Sequence, residues 1–371
     1  MPPRIENHVA KIRKSRGLGP SELARRANVS RQTIYAIEAG TYVPNTAVSL
    51  QIARELEVSV EELFNLAPED THAPEPLSAE VLSIAPATKG QPMRICQIGS
   101  RWISVPVSAT PYYLPEADAI VTGVGPKRAE LLAFAKDQAA QKRIALAGCD
   151  PATSLLSHMV EKESGVEIVS AAASSKLALK WLKEGKVHIA GSHLEDPASG
   201  EFNLPYIKKE FPNEDVAVVT FAEWEEGLVV GAGNPLGIHA VDDLAHAKVR
   251  FINREPGSGS RSLLDKLLKA SGLKSKQVKG YDRVAFGHLA AAHAIVAGDA
   301  DACLATRSAA RTFGLDFVPL HNERYDLVMR RRTLELPAVK AFLDVLQRAT
   351  LRRKLETLAG YDTSQTGTMV A

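Results

Sequence analysis

The chain has 371 residues, 45% of them apolar and 24% charged, and a net charge of only +2. That is the composition of a globular protein with room for two or three domains. Three scattered cysteines (Cys96, Cys149, Cys303) make no disulfide framework, and no long apolar run offers a membrane span. The first residues lack the apolar core of a secretory signal, so a cytoplasmic location is expected.

Charge is unevenly placed. Residues 1–54 hold nine Lys or Arg against three Glu, the excess expected of a segment that meets phosphates. Ile5, Val9 and Ile12 recur at helical spacing, and Leu23, Ala24, Val29, Ile34 and Ile37 fall where two steeply crossed short helices share one core. Asn28-Val29 marks the corner between them. Ser30 suits the cap of the second helix and Gly40 the position just past its end. Val48, Ile52 and Leu56 mark a fourth helix, and Leu63 with Phe64 a short fifth. Arg31, Gln32, Thr33 and Tyr35 then project from the face that a recognition helix turns toward base edges, with Tyr42 and Asn45 placed for phosphates. Double-stranded DNA is the expected partner. One such domain covers little duplex, so a homodimer or higher homo-oligomer is expected as well.

Ser21-Glu22-Leu23-Ala24, Val29-Ser30-Arg31-Gln32-Thr33-Ile34 and Ile37-Glu38-Ala39-Gly40 resemble the lambda-repressor-like regulators of the XRE family. The resemblance implies an all-α, five-helix helix-turn-helix domain over residues 1–66. Pro20 stands where that family often has Gln; proline fits the first turn of a helix but brings no side-chain phosphate contact.

Residues 67–76 form a polar, proline-rich linker. Residues 77–141 are expected to be a small strand-rich connector that spaces or dimerises the chain. Its strands fall near 94–98, 102–107 and 119–122, and residues 126–141 read as a helix. From about residue 142 the pattern becomes strand, turn, helix, repeated. Strands are expected at 144–147, 166–169, 187–190, 216–221, 228–230 and 249–252, with helices opening at Asp150-Pro151, Ser174-Ser175 and residues 258–260. Such alternation implies a mostly parallel sheet with helices on both faces.

Three strand ends bring small or hydroxyl residues to a helix N-terminus, where unpaired N–H groups and the helix dipole suit a small anion. The candidate ligand contacts are Asp150, Thr153, Ser154, Ser174, Ser175, Arg254, Ser258, Gly259, Ser260 and Arg261, with His288 as a further donor. Asp150 is itself a carboxylate. Either Arg254 or Arg261 neutralises it, or the ligand carries a cationic or polar part. No cofactor and no metal site are expected, because His188 with His193, and His288 with His293, are loosely spaced. Gly-Ala-Gly-Asn-Pro-Leu-Gly at 231–237 reads as a turn, the 257–260 stretch lacks the Lys of a phosphate-binding loop, and there is no G-x-S-x-G elbow. An enzyme is therefore not expected.

Ala147-Gly148-Cys149-Asp150-Pro151-Ala152 resembles cytoplasmic domains related to type II periplasmic binding proteins, as do the stretches 189–203, 250–261 and Gly360-Tyr361-Asp362-Thr363-Ser364. This resemblance implies a two-lobed α/β domain over residues 142–371. The first lobe would take 142–221 and 312–371, the second 222–311, with a molybdate- or tungstate-like oxyanion in the cleft. Together the two resemblances imply a multidomain, one-component transcription regulator that senses a small ligand. The alternatives are a small organic effector, a two-lobed domain serving only oligomerisation, and an enzyme of molybdenum-cofactor metabolism.

Overall fold

In a computed structural model, which describes residues 5–66, 76–107, 114–134, 143–212 and 215–371, the chain divides into two units, residues 1–73 and 74–371. The first begins with β1 (Ile5–Asn7) and continues through α1 (Val9–Ser15), α2 (Pro20–Arg26), α3 (Arg31–Glu38), α4 (Thr46–Leu56) and α5 (Val60–Leu63) to β2 (Phe64–Leu66). Val9, Leu23, Ala24, Ile34, Ile37, Ile52, Leu56 and Leu63 form its core. Local chemistry sets the boundaries. The Ser30 hydroxyl accepts the Thr33 N–H at 3.0 Å, Pro20 opens α2, and Asn28 takes the left-handed backbone (φ 50°) that turns the corner. Arg13 then pairs with Glu38 at 2.6 Å and donates to the Leu18 carbonyl at 2.7 Å, which pins α1 to α3.

Two expectations are corrected here. Ile5 lies in a strand, not on the first helix, and Phe64 leaves α5 for β2. The two strands pair antiparallel, Ile5 with Leu66 and Asn7 with Phe64, so backbone groups at both ends of the unit find partners. The linker expected at 67–76 lies outside the described residues up to residue 75.

The second unit opens with β3 (Pro76–Val81), β4 (Pro92–Ile98), β5 (Arg101–Pro106), β6 (Ala119–Val124) and β7 (Arg128–Ala133), which close a barrel in the order β3-β5-β4-β6-β7. The helix expected over 126–141 is corrected: 128–133 is β7, and 135–142 lies outside the described residues. Ala129 and Leu131 point inward while Arg128 and Glu130 point out, which is strand alternation. Strands β3 and β6 take up its backbone on either side, and that tertiary pairing outweighs the helical propensity of Ala-Glu-Leu-Leu-Ala. The barrel shares a core with the α/β segment after it, Leu82, Cys96 and Ile103 packing with Ala147, Trp181 and Leu182. Arg94 and Arg143 brace the same junction through Asp118 and Glu167 at 2.6–3.1 Å.

Next come β8 (Arg143–Gly148), α6 (Thr153–Ser164), β9 (Glu167–Ala172), α7 (Ser175–Lys183), β10 (Ile189–Ser192), α8 (Leu204–Glu210), β11 (Val216–Val230), β12 (Phe251–Arg254) and α9 (Gly259–Ala270). The chain ends through β13 (Val284–Ala285), α10 (His288–Val296), β14 (Ala302–Thr306), α11 (Arg307–Thr312), β15 (Asp316–Arg330), α12 (Pro337–Leu346) and α13 (Ala349–Lys354). The eight strands lie in the order β13-β12-β14-β11-β15-β10-β8-β9. Parallel pairing is confined to the flanks, among β10, β8 and β9 and among β13, β12 and β14. The long β11 and β15 between them are antiparallel to each other and to both flanks. The sheet is thus mixed, and the strands expected at 216–221 and 228–230 are one. The polar stretch Glu223-Trp224-Glu225-Glu226 reads as a break in sequence, yet it stays in the ladder across two bulges. Gly227 allows the crossing: a Cβ there would meet the Val318 carbonyl oxygen at 2.1 Å. Separate cores lie on either side of the long strands, one around Ile144, Phe221 and Phe342, the other around Leu228, Phe251 and Leu304.

At the far end of β8, His188 Nδ1 accepts the Ala145 N–H at 3.0 Å, and burial holds its ring down to about 4. The neutral ring is therefore the native form. The unfolded chain takes up the extra proton, so this contribution is complete above pH 6.5 and is lost as pH falls toward 4. His188→Gln keeps an acceptor without the titration. Thermal unfolding between pH 7 and 4.5 should show a shallower acid loss in this variant; an unchanged slope would disprove the assignment.

Candidate ligand cleft and DNA-reading helix

The face of the first unit expected to meet DNA is exposed within that unit. Arg31, Gln32, Tyr35 and Tyr42 are exposed on and after α3. Arg31 lies over the Tyr35 ring at 5.3 Å and donates to its hydroxyl at 2.9 Å. Thr33 and Asn45 have structural work. The Thr33 hydroxyl meets that of Ser30 at 2.8 Å, and Asn45 Oδ1 caps α4 by accepting the Val48 N–H at 2.9 Å.

In the second unit the three strand-end corners converge. Gly257, before α9, sits where a Cβ would lie 3.5 Å from the Ser174 hydroxyl at the mouth of α7. A Cβ on Gly259 would strike the His193 ring at 2.5 Å. Lys266 pairs with Glu195 at 2.8 Å across the same seam, so the lobes are closed on one another. A cavity of about 660 Å³ opens beside them, and Asp150, Thr153, Ser154, Glu255 and His288 line it.

Most of the expected ligand donors already have partners. Ser175 accepts the His193 N–H at 3.2 Å. Ser258 caps α9 through the Arg261 N–H at 3.3 Å, and the Ser260 hydroxyl donates to Glu226. Arg254 is buried, and it pairs with Glu255 at 2.9 Å and reaches Ser260 at 3.4 Å. Arg261 donates to the Arg254 carbonyl and stacks on Tyr281. Asp150 Oδ1 accepts from the Ala152 N–H and the Tyr361 hydroxyl, both at 2.7 Å, while Oδ2 has no partner.

Sequence reasoning missed the residues that fill the floor between these corners. Glu226 on β11 and Glu323 on β15 are buried, as is His193 just past β10. His193 Nδ1 meets Glu323 at 2.5 Å, and its Nε2 lies 3.3 Å from Cys149 Sγ. Trp224, Tyr325 and Tyr361 wall the group, with Trp224 and His193 ring centroids 5.5 Å apart. The Tyr325 hydroxyl accepts the Cys149 N–H at 3.3 Å and lies where only glycine fits: Cβ atoms on Gly148 and Gly191 would approach it to 2.2 and 1.8 Å. A signal existed in Gly191-Ser192-His193, which places an imidazole at a strand end in the same layer as Asp150.

The electrostatics are lopsided. Asp150, Glu226, Glu255 and Glu323 are four buried carboxyl groups, and the guanidinium beside them, Arg254, is taken by Glu255. Burial pushes Asp150 up to about 6 and Glu323 up to about 7. Burial and the facing Glu323 lift Glu226 well above the carboxylate range. His288 is held neutral, by burial and by the nearby Arg254, and neither ring nitrogen has a hydrogen-bond partner.

Comparison with known proteins agrees with this architecture. Residues 9–63 match the helix-turn-helix family model, and residues 156–347 match the model of the PBP superfamily domain. The chain is 36% identical over 187 residues to the uncharacterized protein YvgK of Bacillus subtilis (strain 168), which is 50% of this chain and 60% of that protein. It thus spans less than two thirds of that relative. Over 66 residues, 18% of this chain and 100% of the other, it is 33% identical to the uncharacterized HTH-type transcriptional regulator YgzD of the same organism. Among solved structures, the sulfate-binding protein SubI from Mycobacterium tuberculosis H37Rv aligns with a TM-score of 0.44 and 18% identity, covering 59% of this chain and 86% of that one. With one model matching just over half of its length, the chain belongs to the PBP superfamily domain family, and it carries the amino-terminal helix-turn-helix domain of HTH-type transcriptional regulators.

Proposed function

We propose that this protein is a one-component, ligand-responsive transcription regulator of the cytoplasm, in which α3 reads operator DNA and the two-lobed unit closes on a small effector. The observation that carries the reading is the pairing of an exposed recognition face with a cleft whose half-sites come from both lobes. A ligand that touches both halves binds the closed form better and so shifts the population toward it. A homodimer on a two-fold operator supplies the contact area that one such domain lacks.

Arg31 and Gln32 are the base-reading residues, with guanine and adenine as their bidentate partners. Tyr42 positions a phosphate, and Thr33 and Asn45 act through their caps. Replacing Gln32 with Ala should cost about 1–3 kcal/mol at one base position and relax specificity there. Fluorescence anisotropy against a set of single-base operator variants reads this directly. A uniform loss on every duplex would instead make Gln32 a phosphate contact.

Molybdate or tungstate, the ligand that the sequence resemblance implies, fits this cleft only with added positive charge. A dianion there would face the Asp150 carboxylate, and Arg254 is already paired with Glu255. The buried carboxylates favour the other ligand class left open by the sequence, one that carries a cationic or hydrogen-donating part. Calorimetry of the full chain, freed of bound ions by a chelator, should give no heat with molybdate, tungstate or sulfate. Saturable heat with any of the three would restore the simple anion reading.

A further inference from the structure

Three ligating atoms meet behind the mouth of the cavity. Cys149 Sγ and His193 Nε2 are 3.3 Å apart, and the Cys149, His193 and His288 ligand atoms all lie within 4.8 Å of one another. Both histidines are 1% exposed, and Cys149 and His288 line the cavity, which gives a path of entry. A buried imidazole with no hydrogen bond on either nitrogen, as His288 is, is expensive to keep. His193 is held as metal-bound histidines commonly are. A carboxylate, Glu323, takes Nδ1 at 2.5 Å and leaves Nε2 aimed at the cysteine. Glu226 stands 3.6 Å from His288 Nδ1, the carboxyl group that would take the same role on the second ring once a bound ion drew them together. The buried carboxyl groups around it could ionise to balance a bound dication.

We propose that the cleft binds a divalent transition metal of the zinc class through Cys149 Sγ, His193 Nε2 and a ring nitrogen of His288. The inference deepens the regulator reading, since it gives the effector cleft its missing positive charge. One thiolate and two imidazoles select a borderline-soft ion over magnesium or calcium. Three protein ligands leave a fourth position facing the cavity, free for water or for an anionic effector. Cys149 and His193 belong to the first lobe and His288 to the second, so all three meet only when the lobes are closed. Glu323 and Glu226 are positioning residues.

The test uses the full chain, stripped by a chelator and titrated with Co2+ and then Zn2+ under an absorption spectrometer. One equivalent of Co2+ should give ligand-field bands of tetrahedral strength and a thiolate-to-cobalt charge-transfer band, and Zn2+ should displace it. Cys149→Ser should abolish the charge-transfer band. His288→Gln should weaken Zn2+ binding at least as much as Glu323→Gln, for which about 10–100-fold is expected. Circular dichroism of each variant confirms that it is folded. The proposal is overturned if the wild-type chain gives no cobalt spectrum, or if the spectrum survives both Cys149→Ser and His288→Gln. Cobalt bound without a thiolate band also overturns it, moving the ion to the alternative group of His193, Glu226 and Glu323. Binding of the same stripped chain to duplexes selected from a random pool is read separately. Metal uptake without DNA binding refutes the regulator reading and leaves this site standing; DNA binding without metal uptake does the reverse.

Discussion

Two glutamates on the strands that join the lobes, Glu226 and Glu323, set the terms for the rest of the large unit. They are buried where β11 and β15 cross between the lobes, and a buried carboxylate is tolerated only when something meets its charge. Each corner of the cleft supplies part of that answer. Ser260 at the start of α9 donates to Glu226, His193 from the end of β10 meets Glu323, and Arg254 from the end of β12 lies close by. Each glutamate is thus met from its own side of the cleft. What joins the two sides is the Lys266–Glu195 ion pair and the contact of Gly259 with the His193 ring.

That arrangement is a consequence of the topology. In an open α/β sheet the carboxyl ends of parallel strands face the ligand crevice. Here β8, β10 and β12 deliver Cys149 and Asp150, His193, and Arg254 in turn, and the long strands bring acidic residues between them. The glycines belong to the same design. Gly148 and Gly191 leave space for the Tyr325 hydroxyl, and Gly259 lets the α9 mouth rest against the His193 ring. A side chain at Gly148 or Gly191 would displace Tyr325, and one at Gly259 would push α9 off the His193 ring.

The helix-turn-helix unit is built on another principle, and a far more local one. Its turns and caps rest on side chains within three or four residues of the backbone groups they serve, as with Ser30 and Thr33 or Ser59 and Glu62. Its long-range ties include the Arg13–Glu38 ion pair and the small β1–β2 ladder. These hold α3 at a set angle while its outer face stays free for a partner.

The order of residues alone was enough to reveal α2 and α3, the Ser30 cap of α3 and the repeating strand–helix plan, because capping hydrogen bonds and helical periodicity act over a few positions. The three corners were legible for the same reason. Elsewhere the residues permitted more than one answer. Ala-Glu-Leu-Leu-Ala suits a helix or a strand until a barrel needs closing, and Ile5 suits a helix until β2 offers it a ladder. The polar run Glu223–Glu226 likewise looks like a loop until two lobes must be joined through it. Above all, the meeting of Cys149, His193, Glu226, His288 and Glu323 was decided by tertiary structure. No local rule links residues that lie so far apart along the chain, and their chemistry exists only because one sheet crosses from lobe to lobe and closes over them.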